Sequence, residues 1–305
     1  MRLIESKAEY IPQEEGLEGI YKQIALAGRT AYHSLDKITP DSAKDFVDRM
    51  IKSNHGAALE HGTVYLKVSC DVWREDEHEW IYMFPEELPW ISLDCDGKYW
   101  YITTNFRHIL EGNVGIETMN KYLCSPTDYH EKRYTMRFTC SRAIAQELTR
   151  HRVFSFLMES QRYINYSKKR HGEKITYIKP SWLEESEEEA NSFLGLVMAG
   201  AELNEHGEKV YPFFESLVFA EKNYFALLNK GYTPQQARDV LPNATKTELI
   251  MTGFSSDWKH VLDLRLFEKT GAVHPDMLDL MLKAQEVMIE AGIWGDIMSK
   301  QSKFE

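Results

Sequence analysis

The chain has 305 residues, 43% hydrophobic and 27% charged, with a formal net charge of -11 at pH 7. That length can bury a sizeable core as one large domain or two, and the composition is ordinary for a soluble globular enzyme. No apolar run approaches the roughly 20 residues that cross a bilayer, Met1 to Glu5 lack the apolar core of a signal peptide, and the acidic balance argues against general nucleic-acid binding.

Taken in order, the chain opens with a predicted helix over 17–29, where Ile20, Ile24, Leu26 and Ala27 fall at helical spacing. A second follows at about 41–53, started by Thr39-Pro40 and buried through Phe46, Met50 and Ile51. After the compact His55 to His61 turn, Val64, Leu66, Val68 and Cys70 alternate with polar residues and predict a half-buried strand. Residues 72–132 read as an elaboration inserted between two core strands, rich in aromatics (Trp73, Trp80, Trp90, Trp100), with Pro85, Pro89 and a hairpin turn at Asp96-Gly97 before an alternating run at 98–104. Tyr134, Met136, Phe138 and Cys140 mark the second core strand, followed by a helix over about 142–153. The short strand at 175–178 closes at Pro180, and Ser181-x-x-Glu184 reads as a capping box. Two amphipathic helices are expected at 185–205 and 206–229, ending near Gly231. Thr233-Pro234-Gln235-Gln236 starts a helix that carries Arg238 and stops at Pro242; Ser256-Asp257-Trp258 starts the next, carrying His260 and Arg265; the last spans about 276–292.

The chemistry concentrates between Arg150 and Arg170, where six Arg or Lys and one His stand with a single acidic residue, Glu159. A basic island in an acidic chain is a candidate site for phosphate or carboxylate. A solvated basic face is the plainer alternative for a charge run. Val153, Phe154, Phe156, Leu157 and Met158 separate the cations, which predicts partial burial and arginines that need partners. Cys70, Cys95, Cys124 and Cys140 show no CxxC spacing and fit scattered reduced thiols in a cytoplasmic protein. His55 and His61 lack a clear third ligand, so no metal site is expected. On spacing alone Arg238 and Arg265 read as surface helix residues, and Trp258 as core.

Arg150-His151-Arg152, seven residues and Ser160 match the RHRx7S signature of the flavin-dependent thymidylate synthases. The chain resembles that family further at Ala27 to Tyr32, at His55 to His61 with the strand from Val64, at Ala237-Arg238-x-x-Leu241-Pro242, and at Trp258 with Leu264-Arg265. The resemblance implies an α/β fold of α+β type, a central mixed or antiparallel sheet packed against long helices, forming a single domain over 1–305 with a family-variable insertion at about 72–132. It implies conversion of dUMP to dTMP with 5,10-methylenetetrahydrofolate as carbon donor and NADPH-reduced FAD as hydride source, and no cysteine nucleophile. It also implies a homotetramer with active sites between subunits, no nucleic acid and no membrane.

Residue by residue, the resemblance places Glu147, Arg150, Glu159, Ser160, Gln161, Arg162, Arg238 and Arg265 at dUMP, with Arg265 catalytic at the uracil. It places Ala57, Glu60, Arg150, His151, Arg152, Val153, Met158, Phe254, Ser256 and His260 at FAD. The sequence departs from the common pattern at Leu157-Met158 (often Asn-Glu), Glu147 (often Gln), Ala57 (often Thr), Phe254 to Ser256 (often Asn-x-Arg) and His260 (often Asn). Two rival readings follow: a non-enzymatic nucleotide- or RNA-binding protein using the same basic pocket, or the same chemistry on another pyrimidine nucleotide.

Overall fold

The computed structural model describes the chain apart from residues 40, 72–87, 113, 163, 169–173, 202–204 and 302–305. Trp73, Trp80, Pro85, Pro40, Tyr163 and the basic pair at 169–170 therefore lie outside the described residues.

Three sheets organise the molecule. Strands β1 (Arg2–Ile4) and β8 (Thr176–Ile178) pair in parallel. A four-stranded antiparallel sheet has the order β2 (Lys7–Tyr10), β6 (Arg133–Ser141), β9 (Lys246–Phe254), β7 (Ser155–Met158). The third has the order β3 (Thr63–Ser69), β5 (Tyr99–Asn105), β4 (Ser92–Cys95), also antiparallel. The expected α+β architecture is present. The strands on either side of the aromatic-rich region do not share a sheet, however. Part of that region, β4 and β5, pairs with β3 and completes its sheet, so the stretch is a structural partner of β3 and not a loop between two neighbouring strands. The hairpin turns at Gly97, whose φ of 89° is a left-handed conformation that glycine adopts without a Cβ clash.

The central sheet is buried on both faces. Tyr134, Met136, Phe138 and Cys140 of β6 join Leu249 and Met251 of β9 in a core closed by the helices at Ser255–Arg265 and Pro275–Glu290. Trp258 is fully buried there, and its indole Nε1 donates to the Tyr134 carbonyl at 3.0 Å. Burying a large apolar side chain of this kind stabilises by roughly 1.5–3 kcal/mol. Across the sheet a polar seam runs under the Gly16–Ala31 and Gly56–Leu59 helices. His61 Nδ1 meets Thr252 Oγ1 at 2.8 Å, Thr252 meets Thr135 Oγ1 at 2.8 Å, and Arg133 donates to the Glu60 carbonyl and to Ser155 Oγ. His61 is structural: burial pushes its pKa down to about 3, so the ring is neutral at pH 7.

Several boundaries differ from the sequence reading for local reasons. The helix expected over 142–153 ends at Leu148, and Arg150 to Arg152 fall in the turn beyond it. The capping box forms at Ser186 and Glu189, while Ser181 bonds Asp276 at 2.7 Å. The helix at Ser42–Lys52 has Asp41 as its N-cap, in place of Thr39. The expected long pair resolves into Glu187–Ala199 and Glu205–Asn229. The Thr233–Gln236 box forms as expected, and the final helix is followed by a further one at Trp294–Ser299.

Candidate active site

The Arg150–Arg152 turn is built by main-chain bonds that wind down the preceding helix. Arg150 N–H donates to the Glu147 carbonyl, His151 N–H to Leu148, and Phe154 N–H to His151. Phe154 is buried against Trp258 and anchors the turn to the core, with ring centroids 4.9 Å apart. Arg150, Arg152 and Arg162 are exposed, contrary to the expected partial burial; the apolar residues between them carry the packing. Among the described residues neither Arg150 nor Arg152 has an ion-pair partner.

Three groups of residues from distant parts of the chain assemble around this turn. In the first, Arg265 at the end of its helix donates from Nε to His151 Nε2 at 3.3 Å and lies 3.5 Å from Glu147 Oε2. His260, one turn earlier, stands edge-on to His151 with centroids 6.3 Å apart. Burial first, then the Arg265 charge, pushes the His151 pKa down to about 4. The ring is therefore neutral, and because Nε2 accepts from Arg265 its proton sits on Nδ1. Four predicted residues, Glu147, His151, His260 and Arg265, thus meet in one cluster.

The second group lines a cavity of about 250 Å³ with Glu60, Trp90, Asn105, Arg107, Arg152 and Val153 among its walls. Glu60, Arg152 and Val153 were expected on the flavin side. Arg107 was not: it pairs with Glu60 at 2.7 Å and with Glu111 at 2.7 Å, and nothing near it in sequence marks it. Ala57 is exposed on the short helix before Glu60.

The third group carries the nucleotide-side residues. Ser160 N–H donates to the Ala31 carbonyl at 3.2 Å, and Arg162 Nε reaches Gln235 Oε1 at 3.4 Å. Gln161 is buried, with its side chain beside the Tyr166 hydroxyl. Glu159 is also buried, and its carboxylate is committed to His33 Nδ1 at 2.8 Å and Lys246 Nζ at 3.1 Å. Burial pushes the Glu159 pKa up, but the His33 bond and the Lys246 charge outweigh it and hold the group below its ordinary value. Glu159 therefore ties the end of β7 to the start of β9 and, with His33 and Lys246, lines a second cavity. Arg142, which no motif singled out, is half-buried beside Arg238; burial and then the Arg238 charge lower its pKa.

Three expected flavin contacts lie inward. Phe254 is 1% exposed, Ser256 donates its hydroxyl to Glu131, and Met158 packs against the main core. No cluster of three or more potential metal ligands occurs among the described residues, and no described helix is long and apolar enough to cross a membrane.

The turn after Leu148, the Arg265 helix and strands β6, β7 and β9 are covered by one family model, thymidylate synthase complementing protein, over residues 129–288. The chain belongs to this family. It is 34% identical over 129 residues to the flavin-dependent thymidylate synthase of Corynebacterium aurimucosum, covering 42% of this chain and 47% of that protein. It is 31% identical over 193 residues to the one from Pyrococcus furiosus, covering 60% of this chain and 67% of that protein. The chain thus spans about half to two thirds of the length of these curated relatives. Among solved structures, the UMP/dUMP methylase PolB from Streptomyces cacaoi aligns over 98% of this chain and 95% of its own, at 16% identity and a TM-score of 0.44.

Proposed function

We propose that this chain is a flavin-dependent thymidylate synthase that converts dUMP to dTMP, with 5,10-methylenetetrahydrofolate as carbon donor and NADPH-reduced FAD as hydride source. The observation that carries the reading is the meeting of Arg265 with His151 and Glu147, which joins the RHRx7S turn to a helix more than a hundred residues away. Bound, reduced flavin supplies the hydride for this chemistry.

The residues present fit that cofactor. Arg152 is an exposed cation beside apolar Val153, Phe154 and Trp90, a lining suited to a ligand that is both aromatic and anionic. A cavity of about 250 Å³ is smaller than the usual range of roughly 300–1,000 Å³ for ligand pockets. The rest of a dinucleotide then needs a second surface, which supports a homotetramer with active sites between subunits. On the nucleotide side, Arg142 and Arg238 stand together as paired cations suited to a phosphate dianion, and Arg162, which reaches Gln235 on the short helix before Arg238, adds a donor beside Ser160 and Gln161.

The chain's own part in the reaction is electrostatic. Arg265, held between Glu147 and a neutral His151, is placed to stabilise negative charge on a pyrimidine ring. Cys140 is buried in the sheet core, Cys95 ends β4 and Cys70 follows β3 at the same end of that sheet; Cys124 reaches the Tyr65 carbonyl of β3. No thiol adjoins the Arg265 cluster, so the reading needs no cysteine nucleophile. A single catalytic domain over 1–305 and a cytoplasmic setting complete the proposal.

The test is direct. The purified protein should be yellow, release flavin on denaturation, and release tritium from 5-tritiated dUMP when NADPH and the folate are supplied. A colourless protein that fails to bind FAD on titration overturns the reading. Release from 5-tritiated dCMP in place of dUMP changes the substrate.

A further inference from the structure

Two of the four thiols meet at one end of the three-stranded sheet. Cys70 Sγ and Cys95 Sγ lie 3.6 Å apart, although 25 residues separate them in sequence. Cys70 directly follows β3, and its N–H donates to the Lys98 carbonyl at 2.9 Å. Cys95 ends β4, opposite Trp100 of β5. The sulfur contact therefore crosses the end of β5 and joins the two outer strands. The hairpin holds Cys95 in place: its own N–H donates to Asp94 Oδ1 at 2.7 Å, and Gly97 N–H donates to its sulfur at 3.2 Å. Cys70 is 8% exposed, whereas Cys95 is half-exposed.

We propose that Cys70 and Cys95 are a modification site: a dithiol pair that forms a reversible disulfide by exchange with a small disulfide such as oxidised glutathione. A disulfide has its sulfurs about 2.05 Å apart, so the two atoms close by about 1.5 Å. One of them sits on β4, which among the described residues pairs with β5 alone. In the first step the thiolate of half-exposed Cys95 attacks a sulfur of oxidised glutathione. The glutathione S–S bond breaks, a Cys95–glutathione bond forms, and one glutathione thiolate leaves. In the second step the Cys70 thiolate attacks the Cys95 sulfur and expels the second glutathione. The two cysteines lose both thiol protons to solvent and two electrons to glutathione, so the exchange balances.

The other thiols are placed differently. Cys140 is 1% exposed, and burial pushes its pKa up to about 12. Cys124 Sγ has His130 Nε2 at 3.9 Å and the Tyr65 carbonyl as neighbours, and no second sulfur among the described residues. In a reducing compartment a close pair of this kind responds to redox poise and is not a permanent staple. Its closure ties β4 to β3 across β5, the strand that runs into Asn105 and Arg107 of the 250 Å³ cavity. The proposal stands apart from the enzymatic reading and survives its failure.

The experiment treats the full-length protein with oxidised glutathione, blocks remaining thiols with iodoacetamide and maps tryptic peptides by mass. Trypsin cuts after Arg74, between the two cysteines. The expected product is a linked pair of peptides carrying Cys70 and Cys95 that separates on adding dithiothreitol, with a higher thermal midpoint for the oxidised protein. Cys95→Ser should abolish the linked pair, and Cys70→Ala should leave glutathione attached at Cys95. Alkylation of both cysteines after oxidation overturns the proposal. So does a stable glutathione adduct on wild-type Cys95, or a link from Cys95 to Cys124.

Discussion

Arg265 Nε donates to His151 Nε2 over 3.3 Å, and this bond connects the end of one helix to the turn that closes another. The pairing needs a neutral imidazole, because a protonated Nε2 has no lone pair to offer. Burial and the Arg265 charge supply that state by pushing the His151 pKa down to about 4. Burial, aided by the cation, keeps the ring neutral, and the ring orients the cation.

Replacing Arg265 with Ala should lower turnover by about 10²–10³-fold, the usual effect of removing one fixed group that stabilises developing charge. Flavin content of the purified variant should be unchanged, since Arg265 does not line the cavity that holds Arg152 and Glu60. Tritium release and the visible flavin spectrum check the two halves. Normal turnover in the variant would remove Arg265 from the chemistry.

The Glu159 ion pair gives a stability prediction. Lys246→Met removes the Lys246 cation from a carboxylate that is 5% exposed and leaves the His33 Nδ1 contact in place. Breaking a buried pair from one side costs roughly 3–5 kcal/mol, with the lower end expected because His33 stays. The folded-state pKa of Glu159 is depressed, so its contribution is fully present above the ordinary carboxylate range and is lost as pH falls through the folded value. Urea unfolding at pH 7 and in mild acid should show the variant weakened at pH 7 and the difference shrinking toward acid. A constant difference across that range would mean that the pair is not coupled to Glu159 ionisation.

How far the sequence alone reached is clear from particular elements. Strands β3 and β6 and the Asp96-Gly97 hairpin were read correctly, because alternation and turn chemistry are local signals. Strand β9, at the centre of the sheet, went unread. Its Lys246–Phe254 run is buried on both faces and so shows no alternation. The helix before the Arg-His-Arg turn was drawn five residues too long, since no Gly or Pro marks its stop at Leu148. Arg150, His151, Ser160 and Arg265 were found through motifs. Lys246, His33, Arg107 and Arg142 were not, because each acts through a partner that only the fold brings near: Lys246 and Glu159 are 87 positions apart, and Glu60 and Arg107 are 47 apart.

His61 should dominate part of the acid response. Its pKa is ordinary in the unfolded chain and falls to about 3 in the folded one, because burial disfavours the cation. The unfolded state therefore binds a proton that the folded state refuses, and stability present above about pH 6.5 is lost as pH falls toward 3. His61→Gln removes the titration while keeping a polar group near Thr252. The variant should be less stable at pH 7 yet show a shallower fall in unfolding free energy between pH 6.5 and 4. An unchanged slope would show that His61 is not the titrating group.

Gly253 lies on β9 beside the signature turn, and a Cβ there would come 2.4 Å from the Phe154 ring. That ring is 6% exposed and stacks edge-on against Trp258, so it has no room to retreat. Gly253→Ala must therefore push Phe154 and, through its main-chain bond to the His151 carbonyl, the whole Arg150–Arg152 turn. Overpacking of this kind costs typically 1–3 kcal/mol. The more telling effect is on the site, because displacing the turn shifts His151 from Arg265. The variant should lose activity in proportion greater than its loss of folded protein at the assay temperature. Pairing it with Phe154→Leu, which empties the space a Cβ would enter, should restore part of both. Full activity in Gly253→Ala alone would show that the turn tolerates the shift and that the His151–Arg265 contact is not set by Phe154.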